Sequence, residues 1–505
     1  MNEINQSTHA HEVANPIPAA VFTVFGATGD LSTRYIMPTL LHMEGERLFP
    51  ENFVIIAAAR RDISNADFIG LLKDAGNLPE VDSDTMDRFA KRIQYVSASF
   101  EEPDSFKKLE AIIGDKAGDE HGVGHECFNL FFYFAVAPKY FAEGARLLHE
   151  HNLVGACSEH GRSVRLMIEK PFGSDLSSAQ ELDKALLSHF SEEQIYRTDH
   201  YLGKETVQNL LVLRFANEFL EPVWNSNYID HIEISMLETS GVGKRASTYN
   251  DVGALRDVVQ NHLLQLLAFV AMEQPKQNDA ESLRAAKAEV LKSLQPFNSE
   301  TITGNIIRGQ YASGEEAGEY LGSYAEENGA PSQTETFVAL KTFIKTPRWN
   351  GVPFYIRTGK RMKKRIAEVS VHFKNEGNSL FSEKLVQPNV ISVQLQPVEK
   401  IALRINNKIP GAMELHSGEL SFNYEDQFHA DTPPSYERLF LDFFSGDQRL
   451  FIRSDEVQAS WTFVDSINKN WTAENSPLRL YPSDSGGPLE ADSLIEAGGR
   501  TWFTK

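Results

Sequence analysis

The chain has 505 residues, room for two to four domains at about 100–200 residues each. Hydrophobic residues make up 41% and charged residues 24%, the proportions of a soluble globular protein, and no run approaches the ~20 uninterrupted apolar residues of a membrane span. Forty-nine basic against seventy acidic side chains leave a net charge of −21, a field that repels nucleic acid and anionic membranes. An anionic ligand must therefore be met by locally concentrated Lys and Arg. Cys127 and Cys157 are the two cysteines, too few for a disulfide framework or a metal cage. Residues 1–18 lack the apolar stretch of a secretory signal. These features predict a reduced, cytoplasmic protein with no metal, no nucleic-acid partner and no membrane partner.

Taken in chain order, Val21–Phe25 is a short run of β-branched and aromatic residues that ends at Gly26 and leads into a helical pattern from about Asp30. Phe53–Ala59 follows and ends in Arg60-Arg61-Asp62; Leu130–Val136 and Val164–Ile168 are further apolar runs separated by helix-length segments. Buried strands alternating with helices predict parallel βαβ units, an α/β doubly wound sheet over roughly residues 1–198. The texture then changes. Helical periods fill 203–219 and 253–273. From about 335 come apolar or alternating runs, Glu335–Ile344, Ala367–Phe373, Val390–Leu395 and Ile401–Arg404, with turn residues between them. That series predicts an α+β domain over 199–505 with a mixed, mostly antiparallel sheet. Ser323–Thr334 and Ser483–Asp492 read as surface loops.

Gly26-Ala27-Thr28-Gly29-Asp30-Leu31, continued by Ser32 and Thr33, falls between a strand and a helix. Glycines there let the backbone approach a pyrophosphate, and the helix start offers free N–H groups and partial positive charge. The spacing is GxxGD rather than GxGxxG, so the motif alone fits an ordinary strand–helix turn equally well. Arg60 closes the second strand, where an NAD site usually carries a carboxylate for the ribose hydroxyls; a basic residue favours a 2′-phosphate. Each feature predicts the place of the other, and together they point to NADP.

Four clusters remain. In Glu169-Lys170-Pro171-Phe172-Gly173 a strand ends in a turn; Lys170 at that edge can touch nucleotide and substrate, with Pro171, in a cis bond, fixing its direction. Arg197-Thr198-Asp199-His200-Tyr201-Leu202-Gly203-Lys204 is dense in hydrogen-bonding groups. If it opens a helix, His200 and Lys204 share a face and, with Tyr201, can hold a phosphate or carboxylate; the plain alternative is a polar helix start. His262 falls on the apolar stripe of Leu255–Gln265. It is either a satisfied core histidine or a general base. Asp257, five residues earlier, is about 140° round an α-helix and would meet a ligand sooner than it would hold His262. Gly351–Arg365, with Lys360 and Arg365, is the strongly basic run of an acidic chain and so a candidate anion site. Glu238, after the strand Ile232–Leu237, is ambiguous by itself.

In this order GATGDL, EKPFG, RTDHYLGKE, RDVVQNHLLQ and GVPFYIRTGK, followed by QPVEKIALRINNKIPG and YERLFLDFFSGDQRLFIRSDEV, resemble glucose-6-phosphate dehydrogenases, from about Phe22 to Trp471. The resemblance implies a Rossmann-like NADP-binding domain (1–198) and an α+β substrate-binding and oligomerisation domain (199–505). It implies oxidation of D-glucose 6-phosphate to 6-phospho-D-glucono-1,5-lactone with NADP, NAD remaining possible, in a homodimer or homotetramer. His262 would be the general base, oriented by Asp199. Lys170, His200, Tyr201, Lys204, Glu238, Asp257, Lys360 and Arg365 would bind substrate, Arg197 supporting the phosphate grip. Gly26 to Thr33, Arg60 and Lys170 would bind coenzyme. One departure is Tyr35, where the family commonly has a lysine; Arg34, the neighbouring cation, is turned about 100° on an α-helix. Two rival readings are a sugar oxidoreductase of the glucose–fructose oxidoreductase type, which leaves DHYLGKE unexplained, and a non-catalytic NADP sensor, which should have lost Asp199, His262 or Lys204.

Overall fold

Six strands form the first sheet: β1 (Ala20–Phe25), β2 (Phe53–Ala59), β3 (Ile93–Ser97), β4 (Asn129–Phe134), β5 (Val164–Glu169) and β6 (Ile195–Thr198). Their order is β3-β2-β1-β4-β5-β6, and every neighbouring pair is parallel. The central strands are apolar on both faces because both faces are covered. This computed structural model describes residues 16–117, 128–154, 163–375, 381, 386–411, 414–428, 434–472 and 474–504. Cys127, Cys157 and residues 1–15 lie outside the described residues. β3 and β6, at the two edges, escape the sequence reading because Ile93-Gln-Tyr-Val-Ser97 and Ile195-Tyr-Arg-Thr198 are short and partly polar, as edge strands are.

The chain divides into two compact units, but not at one point: the first comprises 1–170, 182–200 and 434–452, the second 171–181, 201–433 and 453–505. In the first unit the late helix Ser435–Ser445 lies on the β-sheet. Phe440 and Phe444 pack on Phe22 of β1 with ring centroids 5.7 and 5.1 Å away, and Phe443 packs on Phe131 of β4 at 5.4 Å. Gln448 then donates to the carbonyls of Glu192, Glu193 and Ile195, and the Ile452 N–H to the carbonyl of Arg197. The periodicity of that helix shows only that one face is apolar; it does not say which part of the chain meets it.

The second unit is built on a nine-stranded sheet. Its strands are β7 (Ile229–Leu237), β8 (Ile306–Ala312), β11 (Phe337–Thr342), β12 (Phe354–Gly359), β13 (Ile366–Phe373), β14 (Val390–Gln396), β15 (Lys400–Lys408), β16 (Leu415–Asn423) and β17 (Leu478–Pro482). β9 (Gly314–Glu316) and β10 (Glu319–Leu321) make a separate hairpin. The order is β16-β15-β14-β13-β7-β12-β11-β8-β17. β7–β12 and β8–β17 are parallel and the other pairs antiparallel, the mixed, mostly antiparallel sheet expected. Helices Leu264–Ala271, Ala280–Lys292 and Ser454–Asn468 join through a fully buried ion pair: Lys287 Nζ is 3.0 Å from Glu456 Oε2 and donates to Gln265 Oε1 at 3.1 Å. Ser323–Thr334 and Ser483–Asp492 are not simply loops. Ser323 and Glu326 form a capping box on the short helix Tyr324–Asn328, and Pro488 precedes the helix Leu489–Glu496; both start signals outweigh the polar composition. No helix among the described residues is long and apolar enough to cross a membrane.

Phe444, fully enclosed between β1 and β4, sets the test of this packing. Phe444→Ala should destabilise the first unit by about 3–5 kcal/mol, measured by denaturant unfolding followed through near-UV circular dichroism.

Candidate active site

The order of the first sheet reverses between β1 and β4, and ligands bind at the carboxyl ends of strands beside such a reversal. There β1 turns at Gly26, whose φ is +81°. A Cβ at Gly26 would lie 2.3 Å from the Ala135 carbonyl oxygen, so only glycine allows β1 and β4 to close so tightly. The Gly26 and Ala27 N–H groups donate to the Ala58 carbonyl at 2.8 and 3.1 Å, and the Gly29 N–H to the Gly26 carbonyl at 2.9 Å. A cavity of about 380 Å³ opens on this turn, lined by Gly26, Thr28, Gly29, Arg60, Ser99 and Tyr140 among others. Ser32–Ile36 continues the turn with π-helical winding, the Met37 N–H reaching back to the Ser32 carbonyl. Asp30 is spent on an exposed ion pair with Arg34, 2.8 Å apart. Tyr35 is 52% exposed. Because the winding is not α-helical, the 100° offset expected of Arg34 does not apply.

At the end of β5, Glu169 is buried and accepts from the hydroxyls of Tyr133 (2.7 Å) and Tyr436 (3.1 Å). Burial pushes its carboxyl up to about 7, with the charge of Asp199 adding to the effect and the two tyrosine bonds opposing it. Lys170 follows directly, and the Lys170–Pro171 bond is trans; among the described residues the cis proline is Pro397. Tyr436 also stacks 14° from parallel on the His200 ring at 6.2 Å. Tyr436 comes from the returning helix, so no local pattern in the sequence could have placed it.

Asp199 is buried and His200 half-buried. His200–Gly203 is a single 3₁₀ turn and Lys204 has extended backbone ahead of the helix Glu205–Phe215, so the shared α-helical face expected of His200 and Lys204 does not form. Lys204 stands 5.9 Å over the Tyr201 ring and 3.7 Å from Glu399, which also accepts from the Thr206 N–H at 3.2 Å. Arg197 is fully buried and held by Asp183 (2.8 Å) and Glu192 (2.6 Å). It braces the first unit and is not open to a ligand.

Leu255–Leu263 is π-helical: its hydrogen bonds span five residues, as from the Leu264 N–H to the Val259 carbonyl. Such stretches are rare and frequent at functional sites. The wider turn narrows the angle between residues five apart, so Asp257 and His262 are not separated as an α-helix would separate them. His262 is buried, and its ring centroid is 4.4 Å from that of Tyr201. Glu335 holds the start of this helix: its side chain accepts from the Leu255 N–H at 3.1 Å, and a Cβ on Gly253 would strike it at 2.3 Å. Burial raises the Glu335 carboxyl above the ordinary range. Lys360, also buried, bonds Glu238, lies 3.7 Å from Asp257 and stands over the Tyr249 ring, while its carbonyl accepts from the Tyr481 hydroxyl at 2.7 Å. Glu238, Asp257 and Lys360 therefore form one cluster. Arg365 is exposed, five residues beyond it. Glu335, Glu399, Tyr133 and Tyr436 were missed by the sequence reading, although Glu399 and Tyr436 lie in segments quoted for their resemblance.

A glycine turn at the reversal of a 3-2-1-4-5-6 parallel sheet, closed by an arginine at the second strand, defines a dinucleotide-binding oxidoreductase. Comparison with known proteins narrows this. Residues 23–209 match the glucose-6-phosphate dehydrogenase NAD binding domain and residues 211–503 the C-terminal domain of the same family. The glucose-6-phosphate 1-dehydrogenase of Rhizobium meliloti (strain 1021) is 40% identical over 499 residues, 96% of this chain and 98% of its own. That of Mycolicibacterium smegmatis is 41% identical, covering 97% and 98%. A solved glucose-6-phosphate dehydrogenase in complex with its substrate glucose-6-phosphate superposes with TM-score 0.87 at 31% identity, covering 96% of this chain and 98% of its own. The Mycobacterium avium enzyme superposes with TM-score 0.82 at 31% identity, covering 97% and 99%. The chain belongs to the glucose-6-phosphate dehydrogenase family.

The glycine turn yields a direct test. Gly26→Ala should leave the far-UV circular dichroism unchanged and abolish dinucleotide binding, measured by quenching of protein fluorescence.

Proposed function

We propose that this protein oxidises D-glucose 6-phosphate to 6-phospho-D-glucono-1,5-lactone with NADP, the first oxidative step of the pentose phosphate pathway, in the cytoplasm. The observation that carries the reading is the match to one family across both domains and nearly the full length of each relative. The Gly26–Arg60 cavity suits a dinucleotide: Gly26, Ala27, Thr28, Gly29, Asp30, Leu31, Ser32 and Thr33 would line the coenzyme site, the glycine turn meeting the pyrophosphate, and Arg60 would hold the 2′-phosphate that NAD lacks. When bound, the nicotinamide supplies the hydride acceptor.

The chain's own residues do the rest. His200, Tyr201 and Lys204 bind the sugar phosphate; Glu238, Asp257, Lys360 and Arg365 orient the ring; Lys170 touches both sugar and coenzyme. His262 takes the proton of the C1 hydroxyl as C1 gives up its hydride and the C1–O bond becomes the lactone carbonyl. Asp199 fixes the tautomer of His262 and stabilises the imidazolium. Burial of His262 excludes bulk water from the base. The glucose–fructose oxidoreductase and sensor readings lose ground, since the family match covers both domains and Asp199, Lys204 and His262 are all present.

With purified protein, appearance of reduced nicotinamide absorbance should require glucose 6-phosphate rather than glucose and should be faster with NADP than with NAD. His262→Asn should lower kcat by about 10²–10⁴-fold with little change in substrate binding. Unchanged turnover would remove the base assignment.

A homodimer or homotetramer through the second sheet is part of the same reading. β16 is an edge strand that exposes Leu420 (61%) and Phe422 (37%), and exposed apolar edges invite pairing. Sedimentation of the native chain should give an oligomer, and Leu420→Glu with Phe422→Glu a smaller species; a monomeric native chain would reject it.

A further inference from the structure

Arg361 follows Lys360 in the basic run Gly351–Arg365, and the sugar oxidation as derived above gives it no task. Its backbone lies in the left-handed region, at φ +55°, which a residue with a side chain rarely adopts. Strain of this kind persists where surrounding bonds over-determine it, and it gathers at functional sites. Those bonds are present. The Arg361 N–H donates to the Ser240 carbonyl at 3.1 Å, and the Arg361 carbonyl accepts at 2.8 Å from the N–H of Asp484, itself at φ +61°. To either side, the Lys360 N–H donates to the Thr336 carbonyl at 3.0 Å and the Met362 N–H to the Glu238 carbonyl at 2.9 Å. The Glu238 N–H completes the set on the Gly359 carbonyl at 2.9 Å. The loop leaving β7 and the loop leaving β12 are therefore laced together where Glu238 meets Lys360.

The Arg361 side chain closes the lacing from behind. Its guanidinium donates to Glu327 Oε1 at 2.7 Å and stands 6.0 Å over the ring of Tyr311 from β8. Glu327 Oε2 accepts from the Tyr311 hydroxyl at 2.5 Å and from the Gly243 N–H at 2.6 Å. The Tyr311 hydroxyl in turn accepts from the Val242 N–H at 3.1 Å. A Cβ on Gly241 would lie 2.6 Å from both Arg361 Nε and Glu327 Oε1, so the β7 loop runs directly against the ion pair. Burial works against an ionised Glu327, but the bonds from Tyr311 and Arg361 overcome it and hold the carboxyl below the ordinary range. The two side chains are 20% and 13% exposed, and a partly buried pair is screened less than a surface one.

We propose that Arg361, held by Glu327, is a positioning residue for the sugar site: it fixes the β7 loop against the β12 loop and so sets the reach of Glu238 and Lys360. It acts through those residues and does not itself touch the sugar. The inference rests on the sugar contacts proposed above for Glu238, Asp257 and Lys360. A lysine ammonium rides on a flexible stem, so its place depends on where its backbone is anchored. Thr336 and Tyr481 hold the Lys360 backbone from one side, and the Arg361–Glu327 pair holds the next peptide from the other. Without the guanidinium the strained peptide is free to relax, and Lys360 loses its alignment with Glu238 and Asp257. The coenzyme cavity, lined wholly by the first unit, is left as it was.

The test is steady-state kinetics of the full-length protein with glucose 6-phosphate and NADP. Arg361→Ala deletes the guanidinium and keeps the backbone strain; Arg361→Gly deletes it and relieves the strain, because glycine adopts positive φ freely. Both should raise KM for glucose 6-phosphate by about 10–100-fold, with a smaller fall in kcat. KM for NADP and the pH profile of kcat, which reports the base, should stay unchanged. Glu327→Ala should shift the same KM, and the double variant Arg361→Ala with Glu327→Ala should lose less than the two single losses combined. Gly241→Ala, which pushes a methyl group against the pair, should shift it in the same direction. A native KM in folded Arg361→Gly would show that the backbone bonds suffice and would overturn the proposal, as would an equal rise in both KM values. If neither Arg361 variant folds, Gly241→Ala decides, and a native KM there rejects the role. A native chain inactive on glucose 6-phosphate removes the function reading and this inference with it, whereas an active native chain with indifferent variants removes the inference alone.

Discussion

The first unit depends on one return of the chain. A parallel sheet has to be covered on both faces, and in this protein part of the cover comes from Ser435–Ser445, far from the strands in sequence. Phe440, Phe443 and Phe444 supply aromatic area to Phe22 and Phe131, and non-local burial of this kind is what makes an open α/β sheet cooperative. The same helix carries Tyr436 to Glu169. A packing element thereby reaches a buried carboxyl one residue before Lys170, and its hydroxyl bond opposes the burial that raises that carboxyl.

The second unit places its polar side chains by a different device. Its helical layer is tied by the Lys287–Glu456 pair, buried on both sides, where loss of either partner would leave an uncompensated charge. Against that layer Leu255–Leu263 adopts a wide winding, and Glu335 satisfies its first free N–H groups. An α-helix would have turned Asp257 away from His262. The π winding and the Glu335 cap decide instead which side chains face together, and Lys360 is drawn to Glu238 and Asp257 on that side.

Much of this was legible in the chain itself. The apolar runs Phe53–Ala59 and Ala367–Phe373 correspond to β2 and β13, because a buried strand's preference is written in consecutive residues. The glycine turn and Arg60 predicted each other's place because both follow from the chemistry of a strand end. β3, β6 and β16 were not legible, since short or polar edge strands carry little periodic signal. The 3₁₀ turn at His200–Gly203 and the π winding at Leu255–Leu263 were not either, as both replace the α-helical geometry that sequence spacing assumes.

The sequence by itself determined the family, the α/β and α+β character of its parts and the residue types its motifs carry, because those depend on local patterns and short motifs. Only the tertiary structure decided which of those residues meet. It assigned Arg197 to a buried ion pair with Asp183 and Glu192, gathered Glu238, Asp257 and Lys360 from three separate elements, and set His231 opposite His372. The physical reason is the same in each case: strand register and helix winding are fixed by burial over the whole unit, and no window of neighbouring residues contains that information.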